Sequence, residues 1–109
     1  MGYERVRFMY LFVMFDLPVG TRAERKAANQ FRNFLKKDGY EMLQFSVYTR
    51  ICRGQKAVDK HIERLKNFIP ESGGVRAFQI TDKQYARQLI LVGKRKKHEK
   101  TGAKQLVLL

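Results

Sequence analysis

Cysteine occurs once in this chain, at Cys52, so no disulfide can close within it and thiolates alone cannot hold zinc. Histidine occurs twice, at His61 and His98, and no HxH, HExxH or DxD spacing is present. One copy therefore lacks the spacings from which standard metal sites are built. Proline is also scarce, with Pro18 and Pro70 each marking a break between ordered segments. No apolar run reaches the roughly 18 residues of a membrane span, because Asp16 and Pro18 interrupt the best one. That same stretch lacks a small-residue cleavage site, so no secretory signal is expected and the reading is cytoplasmic. Acidic residues are the last shortage: ten Asp and Glu face 23 Lys and Arg, leaving a net charge of +13. Such a chain repels itself, and a polyanionic partner explains the excess better than solubility does. Nucleic acid is favoured over a membrane surface, which would call for a basic amphipathic terminal segment.

What is present begins with Arg5-Val6-Arg7-Phe8-Met9-Tyr10-Leu11-Phe12-Val13-Met14-Phe15-Asp16-Leu17-Pro18. Met9, Leu11, Val13 and Phe15 fall on one face of a strand; Phe8, Tyr10, Phe12, Met14 and Asp16 fall on the other. A strand apolar on both faces is expected to be central and covered twice. Pro18 cannot continue a ladder, so Asp16 stands at the strand's C-terminal end beside a loop.

Thr21-Arg22-Ala23-Glu24 has capping-box spacing and predicts a helix to about residue 38, closed by Gly39. Ala27, Ala28, Phe31, Phe34 and Leu35 form its apolar stripe. Arg22, Arg25, Lys26, Arg32 and Lys36 lie mostly opposite. A solvated face is the plain reading, but Arg22 and Arg25 sit where the helix dipole disfavours cations, which makes sense if an anion binds there. Residues 40–53 are too long for one strand and are expected to break at 44–46 into two. A helix over 55–68, a loop at 70–74, a strand over 75–80, a helical turn from Thr81-Asp82-Lys83-Gln84 and a further strand over 88–92 follow. Residues 94–104 carry six basic residues and one acid, and Gln105, Leu106, Val107, Leu108 and Leu109 form an apolar end. That end needs a sheet edge or another chain to cover it. The division expected is a folded domain over 1–93 and a basic linker with a strand-like tail over 94–109.

The order β-α-β-β-α-β with an extra C-terminal strand is the α+β, ferredoxin-like plan. Its helices lie on one face only, so the second apolar face of the first strand calls for a partner sheet. A homodimer packed face to face, or exchanging terminal strands, supplies one. His61 reads as a packed core histidine, Cys52 as buried and inert, and Glu24, Asp38 and Asp82 as cap or surface residues. Asp16 has two readings. It is a turn residue ahead of Pro18, or it meets its symmetry mate across a dimer axis, where two carboxylates would invite Mg2+.

Tyr10-Leu11-Phe12-Val13-Met14-Phe15-Asp16-Leu17-Pro18 followed by a basic helix resembles the first strand of the second CRISPR-associated protein family, which supplies the small dimeric subunit of spacer acquisition. Gln44-Phe45-Ser46-Val47-Tyr48 resembles its second hallmark. Thr81-Asp82-Lys83-Gln84-Tyr85-Ala86-Arg87 resembles a segment of its shorter members. The resemblance implies a strand-exchanged homodimer with Asp16 of both copies lining a Mg2+-binding cleft as the catalytic and metal residue. It implies an endoribonuclease or DNA endonuclease, and a dimer that bridges two integrase dimers while its basic surface holds duplex DNA. Arg22, Arg25 and Lys26, and more weakly Arg50 and Arg53, would then lie near the nucleic-acid backbone, and residues 105–109 would meet the integrase. The competing readings are a basic ferredoxin-like RNA-binding module without catalysis, although no RNP1-like run exists, and a regulatory subunit, for which the charge has no use.

Overall fold

The computed structural model describes residues 7–93. The linker and tail expected over 94–109 lie outside them. Seven elements run in the order β1 (Phe8–Asp16), α1 (Arg22–Lys37), β2 (Glu41–Gln44), β3 (Val47–Arg53), α2 (Gln55–Lys66), β4 (Gly74–Thr81) and α3 (Asp82–Ala86). The strands form one antiparallel sheet in the order β2-β3-β1-β4, with β1 in the interior as its two apolar faces require. This is the ferredoxin-like α+β plan expected from the sequence.

Local chemistry sets the boundaries. Thr21 caps α1 with both halves of a capping box: the Glu24 amide donates to Thr21 Oγ1 at 3.1 Å, and the Thr21 amide to Glu24 Oε1 at 2.9 Å. At the other end Gly39 takes a φ of 92°, the Gly39 amide donates to the Lys36 carbonyl, and the Tyr40 amide to the Leu35 carbonyl. That pair of bonds is the Schellman arrangement, which satisfies carbonyls the helix leaves open. The long second β region breaks at Phe45-Ser46, as its length demanded, with Ser46 at a φ of 68°.

The core lies between the sheet and the two long helices. Leu11, Val13 and Phe15 of β1 and Tyr48 and Cys52 of β3 pack against Phe31 and Leu35 of α1 and Val58 and Leu65 of α2. Phe15 meets Phe31 edge to face at 5.1 Å between ring centroids. The opposite face of β1 has no such cover. Among the described residues only α3 crosses it, laying Tyr85 flat on Tyr10 at 3.7 Å and tilting it toward Phe12. Phe8, Met14, Ile51 and Phe78 remain exposed on that side.

The strand expected over 88–92 is reduced to a single bridge at Ile90, with bends following it. Leu89, Leu91 and Val92 stay exposed there. Strand propensity counts only when a neighbouring strand supplies the pairing, and among the described residues this stretch has one paired position.

Candidate nucleic-acid and metal site

Asp16 is the last residue of β1 and stands opposite Gly74 in the ladder. Its side chain is exposed and shares the open face with Met14 and Phe12. The backbone fixes this position closely. Gly73 has a φ of 98°, and a Cβ there would lie 2.6 Å from the Asp16 carbonyl oxygen. Glycine is thus required by both conformation and contact. Asp16 lines a concavity of about 460 Å³ with Met14, Phe45, Ser46 and Arg76. Arg76 sits opposite Met14, so its guanidinium and the carboxylate are diagonal neighbours across two strands. Neither group has a side-chain hydrogen bond or ion pair among the described residues.

The basic residues named from sequence divide into two groups. Arg22, Arg25 and Lys26 line a shallow groove on α1 together with Asn29 and Asn33. Arg22 and Lys26 are exposed; Arg25 donates to the carbonyls of Val19 at 3.2 Å and Gly20 at 3.5 Å, tying down the loop that enters the helix. Arg50 is placed differently. It lies opposite Leu11 on the helix-covered face, where its Nε donates to the Asp38 carbonyl at 2.7 Å and a terminal nitrogen to the Ile51 carbonyl at 2.9 Å. Its guanidinium braces the turn at Gly39. The alternation with Tyr48 and Cys52 carries that information, because residues two apart share a face. Arg53 is exposed at the end of β3 opposite Phe8. Residues 105–109 lie outside the described region.

His61 and Cys52 are core residues, as expected. His61 Nδ1 lies 2.9 Å from Asp38 Oδ2, and Arg64 pairs with the other carboxylate oxygen. Asp38 is therefore not a surface residue: it caps α1 and is buried as the anchor between the two helices. Burial pushes the Cys52 thiol and, more strongly, the Tyr40 phenol above their usual values, with the Asp38 carboxylate also raising both. Arg76, Phe45 and Gly73 went unnoticed as candidates. Arg76 shares the parity of Phe78 in β4, which was the available signal.

Among the described residues no three His, Cys, Asp or Glu side chains gather as a metal cluster, and no helix is long and apolar enough to cross a membrane. What remains is a ferredoxin-like domain with helices on one face, an open apolar face on the other, and a lone carboxylate at its rim. Comparison with known proteins narrows this class. A profile of the family described as CRISPR associated protein Cas2 matches residues 9–88. A CRISPR-associated endoribonuclease Cas2 of Acidovorax ebreus is 49% identical over 85 residues, covering 78% of this chain and 83% of the relative. Proteins of that name from Flavobacterium psychrophilum and Paracidovorax avenae are 40% identical over 105 residues and 50% identical over 88. The first comparison covers 96% of this chain and 91% of the relative, the second 81% and 82%. The chain belongs to the CRISPR-associated protein Cas2 family.

Proposed function

We propose that this protein is a homodimeric subunit of CRISPR spacer acquisition that binds duplex nucleic acid and holds Mg2+ with Asp16 of both copies. The observation that carries the reading is the open sheet face, which ends in a carboxylate without a side-chain partner among the described residues. Met14 and Phe78 are 39% and 44% exposed there, beside a +13 charge that favours polyanions. Packing two such faces together buries the apolar residues and brings two Asp16 side chains toward one axis.

The donor set fits Mg2+. This ion keeps several waters and takes one or two carboxylates, completing its shell with phosphate oxygens. Asp16 offers one exposed carboxylate that accepts no side-chain hydrogen bond among the described residues, and Arg76 beside it matches a phosphate rather than a second metal. When bound, Mg2+ would polarise a phosphodiester oxygen. The chain's own contribution is to hold Asp16 rigidly at the strand end, through Gly73, and to present Arg76 to the same phosphate. Arg22 and Lys26 extend the contact along the backbone of the duplex, and Arg53 adds a further exposed cation. Arg25 contributes charge while holding its loop. The relatives are named endoribonucleases, and phosphodiester cleavage of RNA or DNA at the Asp16 pair is the activity this arrangement supports. Bridging of two integrase dimers, with residues 105–109 as the contact, is the assembly that goes with it.

The test combines binding and cleavage on one preparation. With Mg2+, labelled RNA and duplex DNA should be bound, and any cleavage should vanish in Asp16→Asn while duplex affinity is kept. Cleavage that persists in Asp16→Asn refutes the assignment. Replacing Arg22 and Lys26 with Ala should lower the slope of log affinity against log salt by about 2.

A further inference from the structure

Phe45 is the most exposed large apolar residue of the sheet region, at 77%, and it stands at the rim of the Asp16 concavity. An exposed phenylalanine on a mobile loop would mean little. The backbone turn that follows Phe45 and a cation packed on its ring both restrain it. Ser46, which follows it, occupies a left-handed conformation at a φ of 68°, which a non-glycine residue keeps only where its surroundings enforce it. The Ser46 carbonyl accepts a hydrogen bond from the Phe15 amide at 3.1 Å, one residue before Asp16, so the turn and the carboxylate are fastened to the same point of β1. Arg32 reaches across from α1, with its guanidinium carbon 4.8 Å from the Phe45 ring centroid and 5.5 Å from that of Phe15. Its Nε is buried with no hydrogen-bond partner. Contact with the two rings is the interaction the described residues offer this end of Arg32.

The Phe45 ring thus has a cation packed on it, stays largely exposed, and borders the same concavity as Asp16 and Arg76. We propose that Phe45, backed by Arg32, is a stacking platform that receives one unpaired nucleobase and lays the adjoining phosphate between Arg76 and Asp16. Every base has a π face, so such a platform takes single-stranded DNA and RNA alike and gives little sequence preference. A base inside an intact duplex is already stacked on both sides and cannot use it. This inference rests on the nucleic-acid reading of the same site and adds the substrate form it takes: an end, a loop or a splayed strand.

The experiment measures affinities of the full chain for a labelled 20-nucleotide single strand, as DNA and as RNA, and for a blunt duplex of the same length. Wild type is compared with Phe45→Ala, Phe45→Leu and Phe45→Trp, and each variant's oligomeric state is read by sedimentation. Phe45→Ala and Phe45→Leu should bind both single strands about tenfold more weakly, within the range of one lost base stack. Duplex affinity should change less than twofold. Phe45→Trp should restore single-strand binding, with indole fluorescence quenched as the base stacks. Single-strand affinity unchanged in Phe45→Leu overturns the proposal. So does an equal loss for duplex and single strand together with dissociation of the dimer, which would assign Phe45 to a contact between copies. A wild type that binds no nucleic acid at all refutes the broader reading, and the platform with it.

Discussion

The two faces of β1 differ in what covers them. Toward the helices, Leu11 and Val13 are fully buried and Phe15 nearly so, locked among Phe31, Leu35, Tyr48 and Val58. Away from them, Met14 and Phe78 are open, Phe12 and Phe78 stack on each other at 5.2 Å, and α3 covers only the Tyr10 end. The same nine residues supply both faces by simple alternation. The difference teaches that the buried core lies on one side, and it leaves the other side for the recognition proposed above. The covered side holds the buried Asp38–His61–Arg64 anchor and the bracing Arg50. The open side holds Asp16 and Arg76, with Phe45 at the rim of their concavity.

The strongest way to break this division is to truncate a residue on each side. Phe31→Ala should cost about 3–5 kcal/mol of stability in urea unfolding, as a large core truncation does. Met14→Ala should cost far less in an isolated subunit and act mainly on association. Equal losses would mean that the open face is core as well. Next in size is Gly73→Ala, which forces a Cβ against the Asp16 carbonyl in a left-handed backbone and should destabilise by about 2 kcal/mol. Its effect tests whether the strand end carrying Asp16 is held as rigidly as the core.

Smaller still is the alkaline response of the covered face. The Tyr40 phenol, usually near 10, and the Cys52 thiol, usually near 9, are both raised in the folded chain, first by burial. The unfolded chain loses these protons at lower pH, so folding is favoured by their neutral forms below the usual values. That contribution falls as pH climbs through about 9 and 10 toward the folded values. Unfolding midpoints should decline over that window, and Tyr40→Phe should flatten the upper part of the decline. The smallest effect is expected at neutral pH. The Tyr40 hydroxyl is buried without a hydrogen-bond partner among the described residues, so Tyr40→Phe should raise stability slightly, by less than about 1 kcal/mol.

Much of this architecture is legible in the chain. Period-two and helical patterns mark the strands and helices, two capping boxes start α1 and α3, and the excess length of residues 40–53 requires the turn at Phe45-Ser46. Position on a face was legible for Arg50 through Tyr48 and Cys52, although the residue's charge drew the reading toward nucleic acid. What the chain does not display is contact between distant residues. Asp38 and His61 are 23 positions apart, and nothing in either neighbourhood announces that α1 and α2 bring them together. Arg76 and Asp16 become diagonal neighbours only because β4 returns beside β1. The apolar run over 88–92 shows the converse: among the described residues it pairs only at Ile90, and local preference alone does not make a strand.

The central claim is that the open face is where two copies meet and bring their Asp16 carboxylates together. Sedimentation of the full chain at micromolar concentration tests it most directly, with Phe78→Asp as the comparison. The account predicts a dimer for the wild type and a folded monomer for the variant, since a buried unpaired carboxylate in that interface is strongly unfavourable. A wild type that remains monomeric at that concentration, or a Phe78→Asp protein that dimerises as well as the wild type, would contradict it.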